Sequence, residues 1–167
     1  MQANLRNQTI PLLALAGSKT PPELFMMNQI RPIALCVFRN KNRILVFEGY
    51  DPIKGETFYR PLGGGIEFGE KAEDAVRREL KEEINVEVGE VRYLETLENI
   101  FTFNGNSYHE IVMIHDGVLV ESGLYEQAVI LGKEANGEEI RMLWKSLDEF
   151  GAGRSILYPD GLLELLK

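Results

Sequence analysis

The stretch from Gly63 to Val86, GGGIEFGEKAEDAVRRELKEEINV, constrains this chain more than any other, because it joins a glycine turn to a segment crowded with carboxylates. Ala72, Val76, Leu80 and Ile84 recur every four residues, and Glu70, Glu73 and Asp74 complement the dipole of a helix start. The spacing predicts a helix from about Lys71 to Ile84. On a wheel of about 100° per residue centred on Val76, Glu83 falls inside the apolar arc at about −20°, with Glu79 at about −60° and Glu82 at about −120°. A carboxylate in a buried stripe is costly unless something compensates it. Arg77 and Arg78 are nearby cations, but Arg78 points nearly opposite Glu83. Glu79 with Glu82, and Glu79 with Glu83, are i,i+3 and i,i+4 neighbours whose oxygens can converge on one hard divalent ion. A solvated acidic face is the competing reading. Gly63, Gly64 and Gly65 permit positive φ and let the backbone approach an ion or phosphate closely, although a tight turn explains them equally well.

Taken together, Gly64, Glu70, Arg78, Glu79, Leu80, Glu82, Glu83 and Val86 stand at spacings that resemble the Nudix box of the Nudix hydrolases. The departure is Asn85, where that family has glycine. Asn is the non-glycine residue that best tolerates the left-handed conformation ending a helix, so the change of chain direction is expected to survive.

Around this core, a chain of 167 residues, 44% apolar and 26% charged, has the size for one globular domain. Its net charge of −8 argues against generic nucleic-acid or anionic-membrane binding and suits a protein that collects Mg²⁺. No apolar run approaches the length of a membrane span. Residues 1–28 read as an N-terminal arm that packs Leu12, Leu13, Leu24 and Phe25 on the domain or on a second subunit, with residues 29–167 forming the domain itself. The Ile10 to Ala16 run imitates a secretion signal but is short and interrupted by Pro11. The lone Cys36 sits in an apolar strand, where core packing is its expected role, and this supports a cytoplasmic setting.

Pro32 to Arg39 and Arg43 to Phe47 read as a hairpin around Asn40-Lys41-Asn42, followed by a loop from Glu48 to Glu56 and a short strand from Thr57 to Arg60. Tyr50, Phe58, Tyr59 and Arg60 are candidates for stacking on a base and pairing with a phosphate. After the helix, Val86 to Val88 and Arg92 to Phe103 read as strands, returning through Tyr108 to Ile114 and Val118 to Val120 with a bulge at Asp116-Gly117. Phe101 and Phe103 are expected to alternate, one into the core and one toward a base. His109 and His115 share a strand face without the further ligands of a zinc site. The polar stretch from Glu121 to Gly137 reads as a substrate loop carrying Glu121, Glu126 and Glu134. Glu139 to Trp144 is a last strand, Ser146 to Phe150 a capped helical turn and Gly161 to Leu166 a terminal helix, with Trp144 buried between sheet and helix.

Hairpins alternating with one strong internal helix and a terminal helix give an α/β/α sandwich around a mixed sheet, the fold the resemblance also implies. The resemblance further implies hydrolysis of a nucleoside diphosphate linked to another moiety: a nucleotide sugar such as ADP-ribose, a nucleoside triphosphate or a dinucleoside polyphosphate. On that reading Glu79, Glu82 and Glu83, with the carbonyl of Gly64, hold Mg²⁺ or Mn²⁺. Glu79 or a glutamate of the 121–134 loop takes a proton from water, and Arg78 with Glu70 orients the helix against the glycine turn. The alternatives are a noncatalytic nucleotide sensor and an interaction domain working through the arm.

Overall fold

Six consecutive residues of one strand, Ile33 to Phe38, are buried, which requires cover on both faces and places that strand at the centre of the molecule. In the computed structural model, which describes residues 29–133, 137 and 139–167, this is β1 (Ile30–Asn40). The arm expected over residues 1–28 and the loop residue Glu134 lie outside the described residues.

The chain continues through β2 (Arg43–Asp51), β3 (Glu56–Arg60), β4 (Leu62–Gly65), α1 (Ala72–Ile84), β5 (Val88–Phe103) and β6 (Asn106–Leu119). A 3₁₀ turn (Ser122–Tyr125), β7 (Val129–Lys133), β8 (Glu139–Ser146), α2 (Leu147–Gly151), β9 (Ile156–Leu157) and α3 (Leu162–Leu166) follow. The strands run in the order β5-β6-β1-β2-β3-β9, with β4 also beside β1, β8 beside β2 and β7 beside β8. β1 is parallel to β6 and β3 to β9, the other pairs being antiparallel, so the sheet is mixed.

Alternation along β1 and β2 sorts their side chains into two cores. Ala34, Cys36, Phe38, Leu45 and Phe47 meet Ala75, Val76 and Leu80 of α1 on one face. Ile33, Leu35, Val37, Ile44 and Val46 meet Phe150, Leu162 and Leu166 of α2 and α3 on the other. The expected α/β/α sandwich is present, and each fully buried Leu, Ile or Phe contributes about 1.5–3 kcal/mol to holding it together.

The helix matches its expected span, with Lys71 as N-cap and Glu73 and Asp74 in the first turn. Asn85 adopts the left-handed conformation at φ 53°, and the amides of Asn85 and Val86 bond back to Lys81 and Leu80. Ser146 caps α2 by accepting a bond from the Asp148 amide. Trp144 is buried in the α1-side core, stacks on Tyr125 and donates to the Leu124 carbonyl.

Several expectations need correction. The β1–β2 hairpin has only two cross-strand pairs, Arg39 with Ile44 and Asn40 with Arg43, before its strands diverge to different partners. The segment from Glu48 to Glu56 is mostly strand, because β2 runs on to Asp51 and β3 begins at Glu56. Asp51 closes the tight turn between them by accepting the amides of Ile53 and Lys54. β5 is continuous, and the register shifts lie between Val88 and Val91 and between Tyr93 and Glu95, each leaving an extra residue on β5. Gly117 is therefore no bulge; it is small because an added Cβ would stand 2.5 Å from the Cys36 sulfur. The stretch from Glu121 to Gly137 contains β7, which pairs with β8 and sets Gly132 against Ile84 at the end of α1. These are long-range pairings, invisible to local pattern.

Candidate active site

The glycine turn and the acidic helix meet at one point. Gly64 pairs with Ala34 of β1. A Cβ on Gly64 would lie 2.5 Å from the carboxyl carbon of Glu79, so the missing side chain is the room in which that carboxylate sits. Gly63 serves the backbone instead. Among the three glycines it alone has positive φ, at 126°, and its added Cβ would fall 2.2 Å from the Ala34 carbonyl oxygen.

Glu79 is only 2% exposed and Glu83 9%. Glu82, on the solvent side of the helix, is exposed. The order differs from the wheel, where Glu83 lay deeper, because β4 packs over Glu79. Burial pushes the Glu79 carboxyl above its usual range, while the Arg78 hydrogen bond and charge pull it back.

Arg78 joins the parts. Its Nε and Nη2 form a fork on the two Glu70 carboxylate oxygens at 2.9 and 3.0 Å, Nη2 also donates to the Gly65 carbonyl at 2.9 Å, and Nη1 reaches Glu79 Oε1 at 2.9 Å and Glu82 at 3.4 Å. The hydrogen bonds from Arg78 hold the Glu70 carboxyl below its ordinary range, and Glu70 in turn raises Arg78. The expected Glu70–Arg78 pair thus spans the loop between glycine turn and helix. Arg77 faces elsewhere, donating to the carbonyls of Val88 and Gly89 where β5 begins.

The donors suit a hard divalent cation, being carboxylate and carbonyl oxygens with a cradle at Gly64 that a Cβ would fill. They are not gathered in advance. Among the described residues no group of three or more His, Cys, Asp or Glu is placed to hold a metal ion, and Arg78 bridges Glu79 to Glu82 instead.

A cleft lies between the β2–β3 and β5–β6 hairpins, tied to the glycine turn where Arg60 Nη2 donates to the Gly63 carbonyl at 3.3 Å. Phe58, Phe101, Phe103 and Tyr158 give it aromatic walls, and Asp51, Asn99, Glu110 and Arg60 its polar surface. Asp51 also accepts the Asn104 amide, tying the two hairpin turns together at the rim. Arg60 connects cleft to helix: burial pulls its guanidinium below the ordinary value, while the charges of Glu110, Glu83 and Glu79 act in the opposite sense.

A glycine turn, a Glu70–Arg78 clamp and a carboxylate-bearing helix on one face of a mixed sheet correspond to a known domain. The family model described as the NUDIX domain matches residues 28–161. The chain belongs to the NUDIX family. It is similar to the crystal structure of a MutT NUDIX hydrolase from Burkholderia pseudomallei, at TM-score 0.57 and 19% identity over 84% of this chain and 100% of that one. It is similar also to a NUDIX hydrolase from Nitrosomonas europaea, at TM-score 0.56 and 18% identity over 83% and 86% of the two chains. A third likeness is to the solution structure of the E. coli ORF135 protein, at TM-score 0.51 and 21% identity over 83% and 89%. At these identities the likeness is one of fold.

Within the NUDIX fold the remaining candidates scatter. Tyr59 alternates with Arg60 and points to the other face, where it packs on Phe150, bonds to Glu48 and lies under the Lys145 ammonium, so it is not beside the carboxylates. Glu126 follows the 3₁₀ turn, whose Tyr125 carbonyl accepts from Asn40 at the far end of β1, roughly 20 Å along that strand from Ala34 and Gly64. Glu121 is exposed at the start of the same turn. His109 contacts Glu98 and His115 is buried against the Met113 carbonyl. Phe101 and Phe103, two apart on one strand, line the same cleft, which corrects the expected alternation. Asn99 and Glu110 are cleft residues that sequence reasoning missed. The one local signal is a charged Glu110 just before the apolar run from Ile111 to Ile114.

Proposed function

We propose that this NUDIX protein is a hydrolase that cleaves the pyrophosphate bond of a nucleoside diphosphate linked to another moiety, with Mg²⁺ or Mn²⁺ as its cofactor. The observation that carries the reading is the Glu79 carboxylate held in the Gly64 cradle, in line with Glu83 on the buried flank of α1 and Glu82 at its outer edge. Glu79, Glu82, Glu83 and the Gly64 carbonyl would hold the ion, which when bound neutralises phosphate charge and lowers the pKa of a coordinated water.

The chain's own residues do the rest. Arg78 occupies Glu79 Oε1, which leaves Oε2 to accept a proton from the attacking water, and burial gives that carboxyl the higher proton affinity such a base needs. Glu70 and Arg78 fix the helix against the glycine turn, so that the carboxylates and the Gly64 carbonyl keep one relative position. Arg60, between helix and cleft, is placed to pair with a phosphate oxygen while the cleft takes the remainder of the substrate.

The test is a panel of nucleoside triphosphates, nucleotide sugars and dinucleoside polyphosphates incubated with Mg²⁺, Mn²⁺ or EDTA, with products identified by mass. Metal-dependent release of a nucleoside monophosphate or of pyrophosphate is the expected result. Binding without turnover of any compound would replace the hydrolase by a nucleotide sensor.

A further inference from the structure

Across β5, β6 and β1 the register places Asn99, Glu110 and Arg31 in one row. Glu110 is 2% exposed, yet it lines the cleft. Its Oε1 lies 3.4 Å from the Arg31 guanidinium, and no hydrogen bond from a described residue reaches that oxygen. Arg60 Nε, in the same cleft, is likewise buried without a hydrogen-bond partner among the described residues, and Asn99 is buried beside them. Buried polar atoms without a hydrogen bond are rare in folded proteins because each forgoes its hydration, and the ion pair with Arg31 offsets that loss only in part for Glu110. Here an acceptor and a donor are left open in a cleft whose walls include Phe101 and Phe103.

A ligand that satisfies all of this is flat and aromatic, presents an N–H donor to Glu110 and offers an acceptor to Arg60 or Asn99. A nucleobase has those properties. A carboxylate only accepts, so it distinguishes bases by the donors on their edge. We infer that Glu110 is a specificity residue: it reads an exocyclic amine of the substrate's base and selects an aminated base over its deaminated counterpart. The inference rests on the nucleotide reading above, and it names the feature of the substrate that this cleft selects.

The comparison is between bases that differ at one exocyclic amine: guanine against hypoxanthine, which has hydrogen in its place, and cytosine against uracil, which has a carbonyl in its place and a proton on N3. Wild-type protein is assayed for turnover of the corresponding nucleoside triphosphates with Mg²⁺. Its binding of the corresponding nucleoside monophosphates is measured by equilibrium dialysis in EDTA. In at least one pair the aminated member is expected to be favoured about ten- to a hundred-fold, as suits a hydrogen bond to a buried charge, in both kcat/KM and binding. Glu110→Gln, which retains the shape but gains a donor, is expected to bring that ratio within about three-fold of unity while its circular dichroism melt stays close to wild type.

Equal treatment of both members of each pair overturns the inference even where turnover is brisk, and so does a folded Glu110→Gln protein that keeps the wild-type ratio. An absence of turnover together with amine-selective binding would instead sink the hydrolase reading and keep this one. Should Glu110→Gln fail to fold, the wild-type pairs still decide.

Discussion

The acidic flank of α1 and the neighbouring cleft both hold buried charge, yet they are assembled in opposite ways. The flank takes Glu79, Glu82 and Glu83 from one turn of one helix and clamps the first two with Arg78 from the same helix. The cleft takes Arg31, Arg60, Asn99 and Glu110 from four different strands. In the flank, helical spacing brings the charges together and their mutual cost is met locally. In the cleft only sheet register brings them together, and their compensation is incomplete. On the proposed reading the flank would serve the phosphate chemistry common to many substrates, and the cleft would distinguish a particular one.

The comparison breaks most visibly at the flank's chemistry. Glu83→Gln should reduce metal-dependent turnover about a thousand-fold, because a lost ligand to a Lewis-acid ion removes several kcal/mol of transition-state stabilisation. Turnover within a few-fold of wild type would mean that the flank is not the reacting centre.

The two glycines sharpen it next. Gly63→Ala forces a Cβ onto the Ala34 carbonyl at positive φ and should cost about 3 kcal/mol in urea unfolding. Gly64→Ala meets only the movable end of Glu79, so it should cost about 1 kcal/mol or less and yet lower kcat by displacing that carboxylate. Equal stability losses would show that both glycines serve the turn alone.

Arg78→Lys keeps the charge but loses the fork on Glu70 and the bond to Gly65, a change expected to cost about 2 kcal/mol of stability. A loss no greater than that of an exposed arginine would show that the clamp holds nothing.

The smallest effect is in acid. Because Arg78 depresses Glu70, the pair's contribution is fully present above the unfolded carboxyl value of about 4.3 and is lost as pH falls through the lower folded value. The stability gap between wild type and Glu70→Gln should be constant near neutrality and close below about pH 4. A gap that persisted unchanged in acid would show that Glu70 acts by shape and not by charge.

The local features are legible in the sequence. The span of α1, the left-handed Asn85, the Ser146 cap and the alternation that sorts β1 between two cores all follow from spacing and residue type. The turn at Asp51 misleads because glycine and proline mark where a chain bends, not how little of it bends. β7 reads as loop because its pairing with β8 and its contact with Ile84 are supplied by distant residues. Tyr59 and Arg60, adjacent in sequence, look equivalent until the strand turns them to opposite faces.

The sequence by itself determined the helix, its carboxylates and the glycine turn, since all lie within a few turns of chain where periodicity and backbone preference act directly. Tertiary structure alone decided that Gly64 and Glu79 share one space, that Arg78 clamps Glu70, and that Glu110 meets Arg31 and Asn99 across three strands. Such meetings depend on strand register and on which face a side chain takes. A shift of one residue reverses that face, so it becomes fixed only when the whole sheet closes on its two cores.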